Sequence, residues 1–212
     1  MPIAVAWRGL EEQRDGWRAE HALVDLDRDG LRASGVQLGV APLPYRADYA
    51  LEAGDRFATA RLTVRVAGAG WSRSLDLRRA DGRWTIDARA EGVVALPAPG
   101  GDTATLADAA DCDLAWSPLT NLMPVRRHDL DRGPGQVELT VAWVALPALT
   151  VERSRQRYEH VDDGVVRFVA LDDDADGFTA DLTLDRDGLV VEYPALARRV
   201  AVPTPIPNEE TR

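Results

Sequence analysis

The densest run of chemically capable side chains lies between residues 111 and 127: Asp-Cys-Asp-Leu-Ala-Trp-Ser-Pro-Leu-Thr-Asn-Leu-Met-Pro-Val-Arg-Arg. Two carboxylates, Asp111 and Asp113, precede an apolar stretch that contains Asn121. Two guanidinium groups, Arg126 and Arg127, follow it. Carboxylates two residues apart share a face on a regular strand, where proximity raises the pKa of one of them. Ionised carboxylates are also strong acceptors for sugar hydroxyls. A structural reading fits the same residues: negative charge before a helix and positive charge after it complement the helix dipole. In that case Asp111 and Asp113 stabilise the helix entry, and Arg126 and Arg127 pair with sheet carboxylates. In the functional reading the helix lines an internal cavity and the polar residues mark its mouth.

Three smaller groups add to this set. Arg155-Gln156-Arg157-Tyr158 lies in a strand-like stretch, so Gln156 and Tyr158 share one face and the arginines the other. Inward Gln and Tyr need partners, which sugar hydroxyls in a pocket or a satisfied core would supply. Glu192-Tyr193-Pro194 closes the last clear strand. Glu20 and His21 are neighbours whose side chains point to opposite faces of a regular strand.

Other chemistries find little support. His21, His128 and His160 are far apart and form no H-x-x-x-H pair, so a metal site is not expected. No cofactor is expected. There is no G-x-S-x-G elbow and no phosphate-binding glycine loop, because Gly100-Gly101 lacks the following Lys-Ser/Thr. Asp25–Gly30 and Asp172–Gly177 both fit D-x-D-x-D-G. Position 12 of a calcium loop would fall on Val36 and Thr183, neither a Glu, so both read as acidic turns.

The elements that position these residues are mainly strands. Apolar residues alternate in Leu62-Val64-Val66, in Trp84-Ile86-Ala88, in Val137-Leu139-Val141-Trp143, in Phe178-Ala180-Leu182-Leu184 and in Leu189-Val191-Tyr193. Asp29-Gly30, Asp81-Gly82, Asp163-Gly164 and Asp187-Gly188 punctuate them as type I′ hairpin signals. About a dozen strands result. One short helix, at about residues 117–124, interrupts them, capped by Ser117, opened by Pro118 and ended or kinked by Pro124. Residues 1–202 read as a single β-rich domain, and 203–212 as a frayed tail.

The chain has 212 residues with a formal charge of -10. That balance argues against nucleic acid and anionic membrane surfaces as partners. No stretch reaches the ~18 apolar residues of a membrane span. One cysteine, Cys112, and an N-terminus without a basic, apolar leader pattern point to a cytoplasmic protein.

Asp111-Cys112-Asp113-Leu114 followed by Ser117 to Arg127 resembles the D-x-D-[LI] … T-P-F-T-N-T-L-P-I-R-R signature of the bacterial Putative glycolipid-binding family. Gln156-Arg157-Tyr158 resembles its Q-R-Y element, and Asp185 to Pro194 its closing D-x-x-G-L-V-x-x-Y-P. Trp7, Glu20-His21, Tyr49, Asp55 and Gly82-Arg83-Trp84 fall in the family's order. Leu119, Met123 and Phe57 replace other apolar residues of the pattern, which bears on cavity shape more than on fold. The resemblance implies a large curved antiparallel sheet, a half-barrel or roll, wrapped around a single helix and distantly similar to lipoprotein localisation factors. It also implies a homodimer with an acidic pocket.

Three functions follow as expectations. The first is a binding module that holds the apolar chain of a glycolipid or other amphiphile between sheet and helix, with an acidic rim. The pocket candidates are Glu20, Asp111, Asp113, Asn121, Arg126, Arg127, Gln156, Tyr158, Glu192 and Tyr193. The second is a glycan-processing enzyme using two of Glu20, Asp111, Asp113 and Glu192, at ~5 Å for retention or ~6.5–9.5 Å for inversion. The third is a structural dimer without a ligand.

Overall fold

Alternation of buried and exposed positions dominates the chain. Tyr45–Gly54, for example, reads buried and non-buried by turns along its whole length. A strand with this pattern covers a core with one face and meets water with the other. The computed structural model describes residues 1–10, 16–172 and 177–201. The second acidic turn, at Asp173–Asp176, and the tail from 202 onward lie outside the described residues.

The chain is mainly β, with 59% strand, and its described residues form one large, curved, unclosed sheet of 14 strands. The first seven form a meander: β1 (Ile3–Gly9), β2 (Arg18–Leu26), β3 (Leu31–Gly39), β4 (Tyr45–Gly54), β5 (Ala58–Gly68), β6 (Trp71–Ala80) and β7 (Arg83–Gly92). Then come β8 (Ala109–Leu114), β9 (Gln136–Val144), β10 (Val151–Asp162), β11 (Val165–Ala170), β12 (Thr179–Leu184), β13 (Val190–Tyr193) and β14 (Ala197–Arg199). The last strand returns to pair with β1, so the spatial order is β7 to β1, then β14 back down to β8. All neighbours are antiparallel except β8 and β9.

That parallel pair explains the helix. Parallel neighbours need a crossover of a dozen residues or more, whereas antiparallel ones need only a turn. Residues 115–135 make the crossover and carry a 3-10 turn, Pro118–Asn121, followed by α1, Leu122–Arg127. Leu119, Leu122, Met123 and Val125 are each at most 1% exposed. Each such burial contributes roughly 1.5–3 kcal/mol. Leu119, Leu122 and Met123 join the larger core formed with β1–β7, while Val125 joins a smaller core on β10–β13. The helix therefore packs into the concave face and links the two cores.

The helix departs from expectation at both ends. Ser117 stands at the cap position but makes no side-chain cap bond there; its hydroxyl donates to Glu20 at 2.7 Å. Pro124 does not end the helix, which continues to Arg127. Pro124 lies in the first turn of α1, where its missing N–H is not needed. Only Asp81-Gly82 has both residues at positive φ, as a type I′ turn requires. At Asp163-Gly164 and Asp187-Gly188 the glycine alone is left-handed.

The sheet's two edges approach without ladder pairing. Trp84 Nε1 on β7 and Arg79 Nε on β6 both donate to the Ala109 carbonyl on β8, each at 3.0 Å. Behind them Arg73, 4% exposed, donates to the carbonyls of Leu96, Pro97 and Ala148. It ties two long connections to the inner face.

Candidate ligand-binding cavity

Beside the helix entry the concave face is not filled. A cavity of about 470 Å³ lies between the 113–121 segment and strands β9, β10, β11 and β13. That is within the ~300–1,000 Å³ typical of small-molecule sites. Its apolar wall includes Trp116, Trp143, Phe168, Phe178 and Tyr193. Phe168 packs edge-on against Tyr193 with ring centroids 6.0 Å apart, and Phe178 lies 6.2 Å from Tyr193. Glu152, Arg153 and Asp172 stand among its lining residues, with Glu152 and Arg153 exposed to solvent.

Asp113 is the polar centre of the wall. Thr120 Oγ1 donates to its Oδ1 at 2.6 Å, and Gln156 Nε2 donates to its Oδ2 at 2.7 Å. Gln156 Oε1 lies 3.3 Å from the Tyr158 hydroxyl, which donates to Asn121 Oδ1 at 2.8 Å. The Asn121 amide in turn donates to the Pro118 carbonyl. The chain of bonds fixes the amide orientations and, among the described residues, leaves each Asp113 oxygen with one donor and a lone pair to spare. Burial raises the Asp113 pKa and the charge of Asp111 adds to the rise, while Thr120 and Gln156 oppose it. Burial also holds Tyr158 and Tyr193 well above 10, so both stay neutral donors.

The sequence-derived candidates separate into four places. Asp113, Asn121, Gln156 and Tyr193 line the cavity, and Tyr158 stands behind the wall, bonded to two of them. Asp111, Arg126 and Arg127 sit at the far end of the helix. Arg127 pairs with the buried Asp111 and also donates to the carbonyls of Arg56 and Phe57, in a turn whose residues 55–57 all have positive φ. Arg126 pairs with Asp131. Glu192 pairs with Arg198 away from the cavity lining.

Glu20 occupies the fourth place. It is 5% exposed and accepts from the Tyr49 hydroxyl at 2.5 Å and from Ser117. Burial pushes its pKa up to about 7 against those hydrogen bonds. His21, its neighbour, points to solvent.

Sequence reasoning did not single out Trp116, Trp143 or Phe178 as cavity residues. Trp143 and Phe178 carry a usable signal, since both open or close alternating runs. Trp116 carries none, because its position depends on a left-handed φ of 67° in the crossover. A shallower concavity of about 430 Å³ involves Asp48, Arg65, Asp76, Asp87 and Arg89 on β4–β7. Its three carboxylates are each paired with an arginine. Among the described residues no group of three or more His, Cys, Asp or Glu side chains is placed to hold a metal ion. Among them, too, no helix is long and apolar enough to cross a membrane.

The family model described as "Putative glycolipid-binding" matches residues 4–199. The chain belongs to that family. A crystal structure of a DUF1089 family protein from Pseudomonas aeruginosa is similar to it, with 26% identity, a TM-score of 0.65, and coverage of 85% of this chain and 92% of the other. A beta-barrel-like protein of the domain of unknown function DUF1849 from Brucella abortus aligns over 93% of this chain and 94% of its own, at 11% identity and a TM-score of 0.46. No curated protein matches.

Proposed function

We propose that the protein binds the sugar-bearing end of a glycolipid or similar amphiphile in the 470 Å³ cavity, with the apolar chain leaving through its mouth. One observation carries this reading: a carboxylate, held by Thr120 and Gln156 with lone pairs to spare, is set in a wall of aromatic side chains. Pyranose rings present apolar C–H faces and polar hydroxyl edges, and such a wall matches both. The family's name supports the same ligand class. The space between helix and sheet, where the sequence suggested an acyl chain, is taken by Leu119, Leu122 and Met123. That favours the head group rather than the chain as the buried part.

The unpaired thiol of Cys112, buried and with its pKa pushed up to about 12, suits a reducing cytoplasm. Exposed Trp17, Leu23, Leu38 and Val40, in and beside β2 and β3, would suit the homodimer that the family resemblance implies.

The test uses n-octyl β-D-glucopyranoside below its micelle concentration, titrated into the wild-type protein and Asp113→Asn. Saturable binding that weakens about tenfold in the variant, with melting temperature nearly kept, is the expected result. Absence of saturable binding, or equal affinities, contradicts the proposal.

A further inference from the structure

The cavity has a neighbour. A small hollow of about 10 Å³, room for about one water molecule, lies beside it and is lined by Glu20, Gln37 and Arg18 among others. Trp116 and Leu196 line both spaces, so these two side chains are the partition between them. Glu20 Oε1 takes both hydrogen bonds described above. Glu20 Oε2 is buried and has no hydrogen-bond partner in good geometry among the described residues, while the Gln37 side chain stands close enough to lower the pKa of the carboxyl. A buried carboxylate oxygen without a donor is costly, and it is the acceptor a ligand would complete.

The partition carries backbone strain. Trp116 holds a φ of 67°, a conformation that bulky residues rarely adopt and that a fold retains only against strain. Its indole is half-buried and stacked under the Arg18 guanidinium at 3.6 Å. Ser117, the next residue, bonds Glu20 on one side and lines the large cavity on the other. The two spaces thus share a wall one residue thick.

We propose that Glu20 forms an inner subsite of the cavity, closed by Trp116, whose free carboxylate oxygen accepts a hydrogen bond from a primary hydroxyl on a one-carbon arm of the bound sugar. The inference rests on the sugar-binding reading above and names which part of the sugar goes deepest. The chemistry selects the group. The Arg18 guanidinium lines the same hollow, so an ammonium would meet a like charge there. A phosphate or carboxylate would meet the Glu20 oxygen. A neutral hydroxyl can donate to the Glu20 oxygen and meets no like charge at either neighbour. The size selects its arm: a hydroxymethyl group is slim enough to pass the partition, whereas a ring hydroxyl would bring the pyranose with it.

The experiment compares n-octyl β-D-glucopyranoside with n-octyl β-D-xylopyranoside, which lacks only the hydroxymethyl arm. Both are titrated at pH 8 into the wild type and Glu20→Gln. The expected result is a glucoside preference of about tenfold in the wild type that shrinks to about twofold or less in the variant, because the amide is a weaker acceptor than the carboxylate. Equal affinity of the wild type for the two glycosides overturns the inner subsite and leaves the sugar-binding reading standing. A preference unchanged in Glu20→Gln overturns it as well. Binding of neither glycoside overturns both. If Glu20→Gln fails to fold, the wild-type comparison is supplemented by Trp116→Ala, which removes the partition together with part of the aromatic wall: weaker binding of both glycosides with a changed glucoside-to-xyloside ratio is expected, and an unchanged ratio overturns the inner subsite.

Discussion

The amide of Gln156 on β10 donates to the carboxylate of Asp113 on β8 across 2.7 Å, bridging two strands that are not neighbours in the sheet. β9 lies between them. The bond therefore spans the concave side and joins the helix-bearing crossover to the aromatic wall. It positions the acceptor on which the binding proposal turns.

Removing that donor has a directional consequence. Burial raises the Asp113 pKa and Gln156 lowers it. In Gln156→Leu the carboxyl keeps its proton to higher pH, and a protonated acid is the poorer acceptor. Octyl glucoside titrations at pH 5 and pH 8 are expected to show a larger loss of affinity on acidification in the variant than in the wild type. Parallel pH profiles would contradict this.

Glu20 makes stability fall as pH rises. Its folded pKa is about 7 against an ordinary value of 4.5. Between those values the unfolded chain releases the proton while the folded protein keeps it, so the unfolded state is favoured progressively. Below the window the group contributes no difference. Above it the cost levels off at about 3 kcal/mol. Denaturant melts of the wild type and Glu20→Gln are expected to diverge from pH 5 to pH 8, with the variant gaining relative stability. A constant difference would refute the assignment.

The Asp111–Arg127 pair is a matter of stability. Both side chains are largely buried, and Arg127 also holds the left-handed turn at residues 55–57. Asp111→Ala leaves a buried guanidinium without its carboxylate, which costs roughly 3–5 kcal/mol. At ~2–4 °C per kcal/mol, a drop of about 10 °C in melting temperature is expected. Affinity for octyl glucoside at a temperature where the variant is folded should be unchanged.

Much of the architecture was legible because a period of two leaves a plain trace. Leu62-Val64-Val66 and Trp84-Ile86-Ala88 turn up as alternating strands, and the apolar run around Leu119–Met123 as the helix they enclose. What the pattern could not supply was partner choice. Asp111 and Asp113 do face the same helical segment, but one meets Arg127 at its end and the other Thr120 near its start. Only the parallel pairing of β8 and β9 sets that direction. Gln156 and Tyr158 were readable as an inward pair from their spacing. Trp116 was not, since nothing local distinguishes a left-handed Trp from a core one.

Cys112 is expected to be inert in the native state. It is 1% exposed, and burial pushes its thiol up to about 12 while Asp111 and Asp113 add to the rise. The thiolate is the reactive form. An aromatic disulfide reagent at pH 8 should react at the rate of global unfolding, and rapid stoichiometric labelling of folded protein would contradict the packing described.

Sugar binding in the cavity is tested most directly by a crystal structure of the protein with n-octyl β-D-glucopyranoside. The expected result is the pyranose ring inside the cavity, a hydroxyl within hydrogen-bonding distance of the Asp113 carboxylate, and the octyl chain directed outward past Glu152 and Arg153. An octyl chain filling the aromatic cavity with the sugar left in solvent, or detergent bound only outside it, would contradict sugar recognition by Asp113.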